Sequence, residues 1–316
     1  MWAVRNETPY RAERAFARDA DGAEVWIVAV RATFTFGADG RVAVADAQED
    51  VCLAPVYFGE PGRSSLRYDT DLVRTKPGTD VVLHAHAHAP GGLPTHVVDV
   101  GVSVGPLTKW LRVVGDRAWV DGWRGRVAGP AESFVSLPIR YERAWGGPLP
   151  DGDARDPYNP VGVGADGAAV PNCQHLDDAL RGGPDGRAPA GFGPIPGDWQ
   201  PRVRLAGTYD AAWERERQPL VPTDFQDAFF RCAPADQQVP GFLHGGEEVV
   251  LTNLTPEGVV RFRLPRVSLG FRTRIDGGTT HHRGQLHTVK ETVVVEKARV
   301  PLGGAPAGAW DDDRTW

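Results

Sequence analysis

The sequence has few cysteines, and this scarcity excludes two kinds of small-protein architecture. Only three occur among its 316 residues, Cys52, Cys173 and Cys232. An odd and widely spaced set does not build a disulfide framework. Their separations also fit no structural zinc pattern, which needs closely spaced Cys and His ligands. We therefore expect three reduced thiols in a cytosolic protein.

Long apolar segments are also missing. The longest strongly apolar run is 25–30 (VWIVAV), whereas a membrane-spanning helix needs ~20 such residues. The N-terminus has no apolar core of a signal peptide. The sequence thus predicts no membrane segment and a cytoplasmic location.

The chain has no excess of positive charge. Its net charge is -6 and its pI about 5.9, which argues against nucleic acid as the main partner, because phosphate binding needs a basic field. Hydrophobic residues make up 41% and charged residues 24%, close to globular averages. The length indicates one large or two ordinary domains.

Period-2 patterns of β-branched and aromatic residues dominate what is present. Residues 24–36 (EVWIVAVRATFTF) indicate a long buried strand, and 41–44 its hairpin partner. Further strands are predicted at 53–58, 81–88, 95–104, 107–114, 248–254, 259–264, 267–274 and 285–296. This pattern predicts a mainly β protein of antiparallel, β-sandwich-like architecture.

The composition changes in the middle of the chain. Residues 146–201 contain 22 Gly or Pro in 56 positions, which is typical of disorder, yet aromatic anchors within them indicate an ordered excursion on the β core. We divide the chain into an N-terminal β-rich half (1–145), the Gly/Pro-rich excursion (146–201), a C-terminal α+β half (202–300) and a tail (301–316).

Two short helices are predicted in the C-terminal half. Residues 210–217 (DAAWERER) are good helix formers and are followed by Pro219. Thr223 and Gln226 fit a capping box that begins the second helix.

Three histidines alternate along 81–88 (VVLHAHAH). Because strand side chains have a period of two, His84, His86 and His88 share one face. Three imidazoles can bind zinc, but neighbours on one strand face lie ~7 Å apart, which is long for a common ion. We therefore predict no bound metal and keep this triplet as the runner-up metal site.

Short matches to catalytic motifs lack the context that their chemistry needs. Residues 101–105 (GVSVG) fit a nucleophile elbow around Ser103, but a second strand pattern follows instead of a helix. Residues 162–167 (GVGADG) fit a dinucleotide fingerprint without the preceding strand. Cys173 lies near His175, which is usually incidental for two neighbours on a loop. The carboxylate pair Asp69 and Asp71, or Glu142 with a distant partner, has no spacing that selects it for acid–base work.

Many ordered segments resemble a bacterial family of uncharacterised-domain proteins encoded beside type VI secretion spike, PAAR-tip and toxin genes. The matching segments are 65–72 (SLRYDTDL), 76–77 (KP), 79–80 (TD), 87–92 (AHAPGG), 141–147 (YERAWGG), 159–162 (NPVG), 189–196 (PAGFGPIP), 199–202 (WQPR), 207–210 (GTYD) with Trp213, 233–238 (APADQQ) and 253–258 (NLTPEG). The chain departs from the pattern after Val300, where a Gly/Pro/Ala tail replaces an expected apolar strand.

The resemblance implies an adaptor or chaperone that binds a toxic effector and links it to a spike-tip protein of the VgrG or PAAR kind. It carries over no catalytic residue and no cofactor, so we expect a non-enzymatic protein whose partners include neither nucleic acid nor membrane. The alternatives are a hydrolytic enzyme acting on glycan or peptide, and a structural component of the spike tip.

Four aromatic residues of the excursion and its border are candidate partner-binding residues, because interfaces favour aromatic anchors. They are Trp145, Tyr158, Phe192 and Trp199. The competing interpretation is that they attach the excursion to its own core.

Overall fold

The structure, a computed structural model, describes residues 3–123, 125–150, 153–177, 189–275 and 277–292. Strands account for 38% and helices for 9%, so the prediction of a mainly β protein is confirmed. The predicted tail (301–316) and the end of the strand predicted at 285–296 lie outside the described residues. In the described part of the chain, no helix is long and apolar enough to cross a membrane.

The described strands follow one another along the whole chain. They are β1 (Arg11–Arg18), β2 (Glu24–Arg31), β3 (Phe34–Phe36), β4 (Val42–Val44), β5 (Val56–Tyr57), β6 (Leu66–Tyr68), β7 (Asp80–His84), β8 (His86–His88), β9 (Val97–Val104), β10 (Leu107–Val114), β11 (Trp119–Gly122), β12 (Gly125–Ala128), β13 (Ser136–Pro138), β14 (Trp145–Gly146), β15 (Val163–Gly164), β16 (Cys173–His175), β17 (Glu248–Thr252), β18 (Val259–Arg263), β19 (Gly270–Ile275), β20 (Gly278–Arg283) and β21 (Thr288–Thr292). The described helical segments are α1 (Ala211–Glu216) and 3-10 helices at Pro90–Gly92, Tyr141–Arg143, Arg202–Ala206, Asp227–Phe230 and Ala235–Gln237.

The central sheet has five strands in the order β16-β10-β9-β17-β18, all antiparallel to their neighbours. The alternating sequence of β9 buries one face, with Val100 at 0% and Val102 at 2% exposure, and Leu251 of β17 is also fully buried. Full burial of such a side chain contributes about 1.5–3 kcal/mol. The strands predicted at 95–104 and 107–114 are confirmed as β9 and β10, which form a hairpin whose turn uses Gly105 at a φ of 54°.

A parallel pair joins two distant parts of the chain, since β7 pairs with β21. Asp80, at the start of β7, has a fully buried side chain that lies 2.8 Å from Lys76 Nζ and 3.0 Å from Arg231 Nε. It also accepts a hydrogen bond from the Cys232 N–H at 2.7 Å, and Lys76 Nζ donates to the Thr288 hydroxyl at 2.9 Å. We call these five residues the Asp80 cluster. They connect β7, the segment at 231–232 and β21.

The first part of the excursion is held by one buried asparagine. The Asn159 side chain donates to the carbonyls of Tyr141 at 2.9 Å and Trp145 at 2.8 Å. The Gly147 N–H donates to the Asn159 carbonyl at 2.8 Å. Gly147 has a φ of 87°, and a Cβ there would lie 2.1 Å from the Gly162 carbonyl oxygen, so the turn requires glycine.

The helix predicted at 210–217 is confirmed as α1, whose N-cap Asp210 accepts a hydrogen bond from the Trp213 N–H at 2.8 Å. The second predicted helix is only the 3-10 turn Asp227–Phe230. Its N-cap is Gln226, which makes no side-chain capping bond, so the capping box at Thr223 and Gln226 is wrong. The Phe residues there form an aromatic cluster instead, and tertiary packing overrides the local pattern.

The strand predicted at 24–36 divides into β2 and β3 at residues 32–33. The Gln48 side chain bonds there to both the N–H and the carbonyl of Thr33, at 2.8 and 2.9 Å. β3 pairs with β4 as predicted. β2 pairs with β1 over eight residues, in a hairpin that the sequence did not predict.

Candidate functional site

A groove of about 1490 Å³ lies beside β2. Its lining includes the consecutive residues 26–36 and 282–290, together with Val260, Phe262 and Leu264. Sites for small molecules usually enclose ~300–1,000 Å³. The volume therefore suits a polypeptide segment better than a metabolite.

The groove is apolar where it meets the hydrophobic core. Phe262, which is 7% exposed, stacks on Phe36 with ring centroids 4.6 Å apart. Leu286 and Val289 pack against the same core cluster. The base of the groove is thus part of the close-packed interior, which makes it a rigid surface rather than a loose loop.

The groove becomes ionic around Tyr68. The Tyr68 ring centroid lies 5.2 Å from the guanidinium carbon of Arg31, 5.3 Å from that of Arg67 and 5.4 Å from Lys290 Nζ. Asp71 accepts a hydrogen bond from Lys290 at 2.5 Å and lies 3.8 Å from Arg31. Each cation–π contact contributes about 0.5–2 kcal/mol. We call these five residues the Tyr68 cluster.

Arg67 is the cation of the Tyr68 cluster that is available to a ligand. It is exposed, and within the described ranges its guanidinium has no carboxylate partner. Arg31 contacts Glu49, and Lys290 contacts Asp71. An incoming carboxylate therefore gains a charge-assisted hydrogen bond at Arg67 without displacing an internal ion pair.

The groove as a whole is basic on an acidic chain. Six Lys or Arg and three Asp or Glu line it, and two of these cations, Lys76 and Arg74, pair with Asp80 and Asp227 outside the lining. The remaining four cations still exceed the three anions, whereas the whole chain has a net charge of -6. Complementary charge directs encounter and sets specificity more than it adds raw affinity. The local sign favours an acidic binding partner.

The three histidines of the runner-up metal site have separate surroundings. The His84 Nε2–H donates to the Arg67 carbonyl at 2.5 Å, and burial lowers the pKa of this ring to about 4. The rings of His86 and His88 lie farther along the strand, with centroids 6.4 Å apart. In the described part of the chain, no group of three His, Cys, Asp or Glu side chains has a metal-binding arrangement.

The four aromatic residues predicted to bind a partner lie outside the groove lining. Phe192 and Trp199 are only 1% and 2% exposed, and Trp199 packs against Tyr141 with centroids 5.8 Å apart. These two residues occupy core positions, as in the competing interpretation that they attach the excursion. Trp145 and Tyr158 are half-buried, and partner binding by them stays a prediction.

The catalytic motif matches fall on structural residues. Ser103 lies within β9 and its hydroxyl bonds to Thr108 at 2.8 Å, which is not the exposed turn of a nucleophile elbow. The three cysteines are free and buried. Desolvation raises the pKa of Cys173 and of Cys232 to about 12, so their reactive thiolate forms are strongly disfavoured.

The groove is not evident from the sequence alone. Two sequence features belong to the groove. The apolar run 25–30 predicts only a buried strand, and the segment 65–72 contains Arg67, Tyr68 and Asp71. A run of aromatic, basic and acidic residues beside a short strand is consistent with a surface cluster, but its cationic neighbours Arg31 and Lys290 come from distant parts of the chain.

A family model described as "Uncharacterized protein conserved in bacteria (DUF2169)" matches residues 21–301. No curated protein and no solved structure matches the chain.

Proposed function

The chain belongs to the DUF2169 family of bacterial proteins, and on that premise we propose that it is an adaptor of type VI secretion. It binds a toxic effector in the cytoplasm and links it to the spike-tip protein, without catalysing a reaction itself. The secretion context comes from the resemblance of segments such as 65–72 and 141–147.

The observation that carries this proposal is the groove. Its volume of about 1490 Å³ exceeds that of ordinary small-molecule sites, and its base is a rigid part of the core. Its exposed Arg67, together with a lining in which cations outnumber anions, favours an acidic protein surface. These are properties of a site that holds a polypeptide, which is the task of an adaptor.

The test is co-purification with the toxin or spike-tip protein encoded beside the gene. We expect a stable complex on gel filtration, because a specific interface of ordinary size buries ~1,200–2,000 Å². Arg67→Glu in the groove should weaken the complex at least tenfold. Arg63→Glu is the matched control, because Arg63 is 84% exposed, lies outside the groove lining and belongs to a surface pair with Glu60.

Deletion of the gene tests the same proposal in cells. Delivery of the neighbouring toxin should stop, while other toxins and the secretion machine keep working. Normal delivery in the deletion strain contradicts the adaptor function. Turnover of a glycan or peptide by the purified protein, without co-elution of a neighbouring product, replaces it with the hydrolytic alternative.

A further inference from the structure

In the hairpin of β1 and β2, alternate residues of β2 direct their main-chain groups towards β1 and away from it. The Asp19 N–H donates to the Ala23 carbonyl at 3.0 Å, which makes this pair hydrogen-bonded. Such pairs alternate along an antiparallel ladder, so the register of the hairpin makes Ile27 another hydrogen-bonded residue. The N–H and C=O groups of Val28 and Val30 therefore point away from β1.

At Val28 and Val30 the outer edge of β2 faces the groove, and no described strand pairs with it there. Consecutive residues from 26 to 36 line the groove. Neighbouring side chains of a strand point to opposite faces, so a lining that contains all of them runs along the edge of the strand. Within the described residues, the main-chain groups of Val28 and Val30 have no strand partner on this side.

The two strands of the hairpin differ in how their edges are protected. Natural proteins protect open edges with charged residues, proline or bulges. β1 (RAERAFAR) carries four charged residues in eight, whereas β2 (EVWIVAVR) has charges only at its two ends. The edge that faces the groove is therefore the unprotected one, and it is apolar over its whole middle.

We propose that β2 binds an extended strand of the partner protein along this edge, inside the groove. The proposal rests on the proposed function, in which the partner is the toxin or the spike-tip protein. Main-chain hydrogen bonds to an exposed edge give affinity, and pockets for alternate side chains give specificity. The groove's apolar base and cationic lining select a strand with alternating apolar residues and acidic residues at its ends.

Amide hydrogen exchange of the free full-length protein tests the edge itself. We expect slow exchange at Ile27 and Ala29, which bond to β1, and fast exchange at Val28 and Val30. Equal protection of all four in the monomer shows that the chain covers its own edge, and it overturns the proposal. If Val28 and Val30 exchange fast in the monomer but slowly in a dimer, the edge binds a second copy of this chain, and the proposal is likewise overturned.

The second measurement uses a synthetic peptide of alternating valine and threonine with aspartate at both ends. It should bind the protein, slow the exchange of Val28 and Val30, and bind at least tenfold more tightly than the same peptide with lysine at both ends. Val28→Pro removes an outward N–H and should weaken binding about tenfold, equivalent to about 1.4 kcal/mol. Val28→Ala, which keeps that N–H, should stay within about threefold of wild type.

Retained protection of Ile27 and Ala29 in the Val28→Pro protein shows that the hairpin is intact. Equal affinity of the Val28→Pro and wild-type proteins for the aspartate peptide, or equal affinity for both peptides, overturns strand addition. This outcome is separate from failure of the adaptor function. If a neighbouring protein still binds while Val28→Pro has no effect, the adaptor stands and the edge is not its docking site.

Discussion

Replacing Asp80 with asparagine measures how strongly the Asp80 cluster stabilises the fold. The substitution keeps the side-chain shape but removes the charge, and it leaves Lys76 and Arg231, with side chains 4% and 12% exposed, without their carboxylate. Removing one partner of a buried ion pair costs about 3–5 kcal/mol. Because folded domains are stable by only ~5–15 kcal/mol, we expect a large fraction of the stability to be lost.

The assay is urea unfolding followed by the fluorescence of the ten tryptophans. The matched control is Glu60→Gln, since Glu60 is 77% exposed and lies 3.7 Å from Arg63. An exposed pair of this kind contributes about 0–1 kcal/mol. The control should therefore unfold close to the wild-type urea concentration, while Asp80→Asn unfolds at a much lower one.

A double variant decides whether the charges are coupled. Lys76→Met together with Asp80→Asn removes the buried cation as well as its partner, so the combined loss should be smaller than the sum of the two single losses. A cost below about 1 kcal/mol for Asp80→Asn, or additive effects in the double variant, refutes the view that this cluster holds the fold together.

Three further measurements address single residues. The stability of the wild type should fall as the pH drops from 6.5 towards 4. The reason is that the pKa of His84 is 6.5 in the unfolded chain but about 4 in the folded protein, so only the unfolded chain takes up a proton in this range. Urea titrations at the two pH values should show that His84→Gln reduces this loss by about 3 kcal/mol. Gly147→Ala should destabilise by more than about 1 kcal/mol, whereas Gly270→Ala, which opens onto free space, should stay within about 0.5 kcal/mol. Thiol titration should find Cys173 and Cys232 unreactive in the native protein and all three cysteines reactive in urea. Rapid reaction of Cys173 or Cys232 in the native protein contradicts the inference that burial suppresses their thiolate forms.

The sequence predicts a strand correctly where the pattern of apolar residues within that strand matches the face that the fold buries. β9 places a valine at every second position, and the central sheet buries Val98, Val100, Val102 and Val104. β1 (RAERAFAR) is not predicted from its sequence because its Ala and Glu residues are depleted in strands. It forms a strand by pairing with β2 over eight residues. The parallel pairing of β7 with β21 is also not predicted, since a period of two indicates a strand but not its partner.

The candidate site was beyond sequence reasoning for a related reason. The groove takes its lining from segments near residues 30, 70, 260 and 285, and no local pattern shows that they meet. The prediction for Phe192 and Trp199 rests on residue type alone, and the structure places both in the core because residues 189–199 fold inward. His84, His86 and His88 share one strand face, as their alternation with alanine predicts. The sequence does not show that burial lowers the pKa values of all three rings, each of which has different neighbours.

The pairing of β7 with β21 has a consequence for how the protein is made. The two strands are more than 200 residues apart in the chain, so the ribosome needs about 10–40 s to reach the second after the first, at ~5–20 residues per second. During that interval Val81 and Leu83, which end up at most 2% exposed, have no β21 beside them. Until β21 has been synthesised, the nascent chain therefore exposes apolar residues that the folded protein buries, and such partly folded species are prone to aggregation.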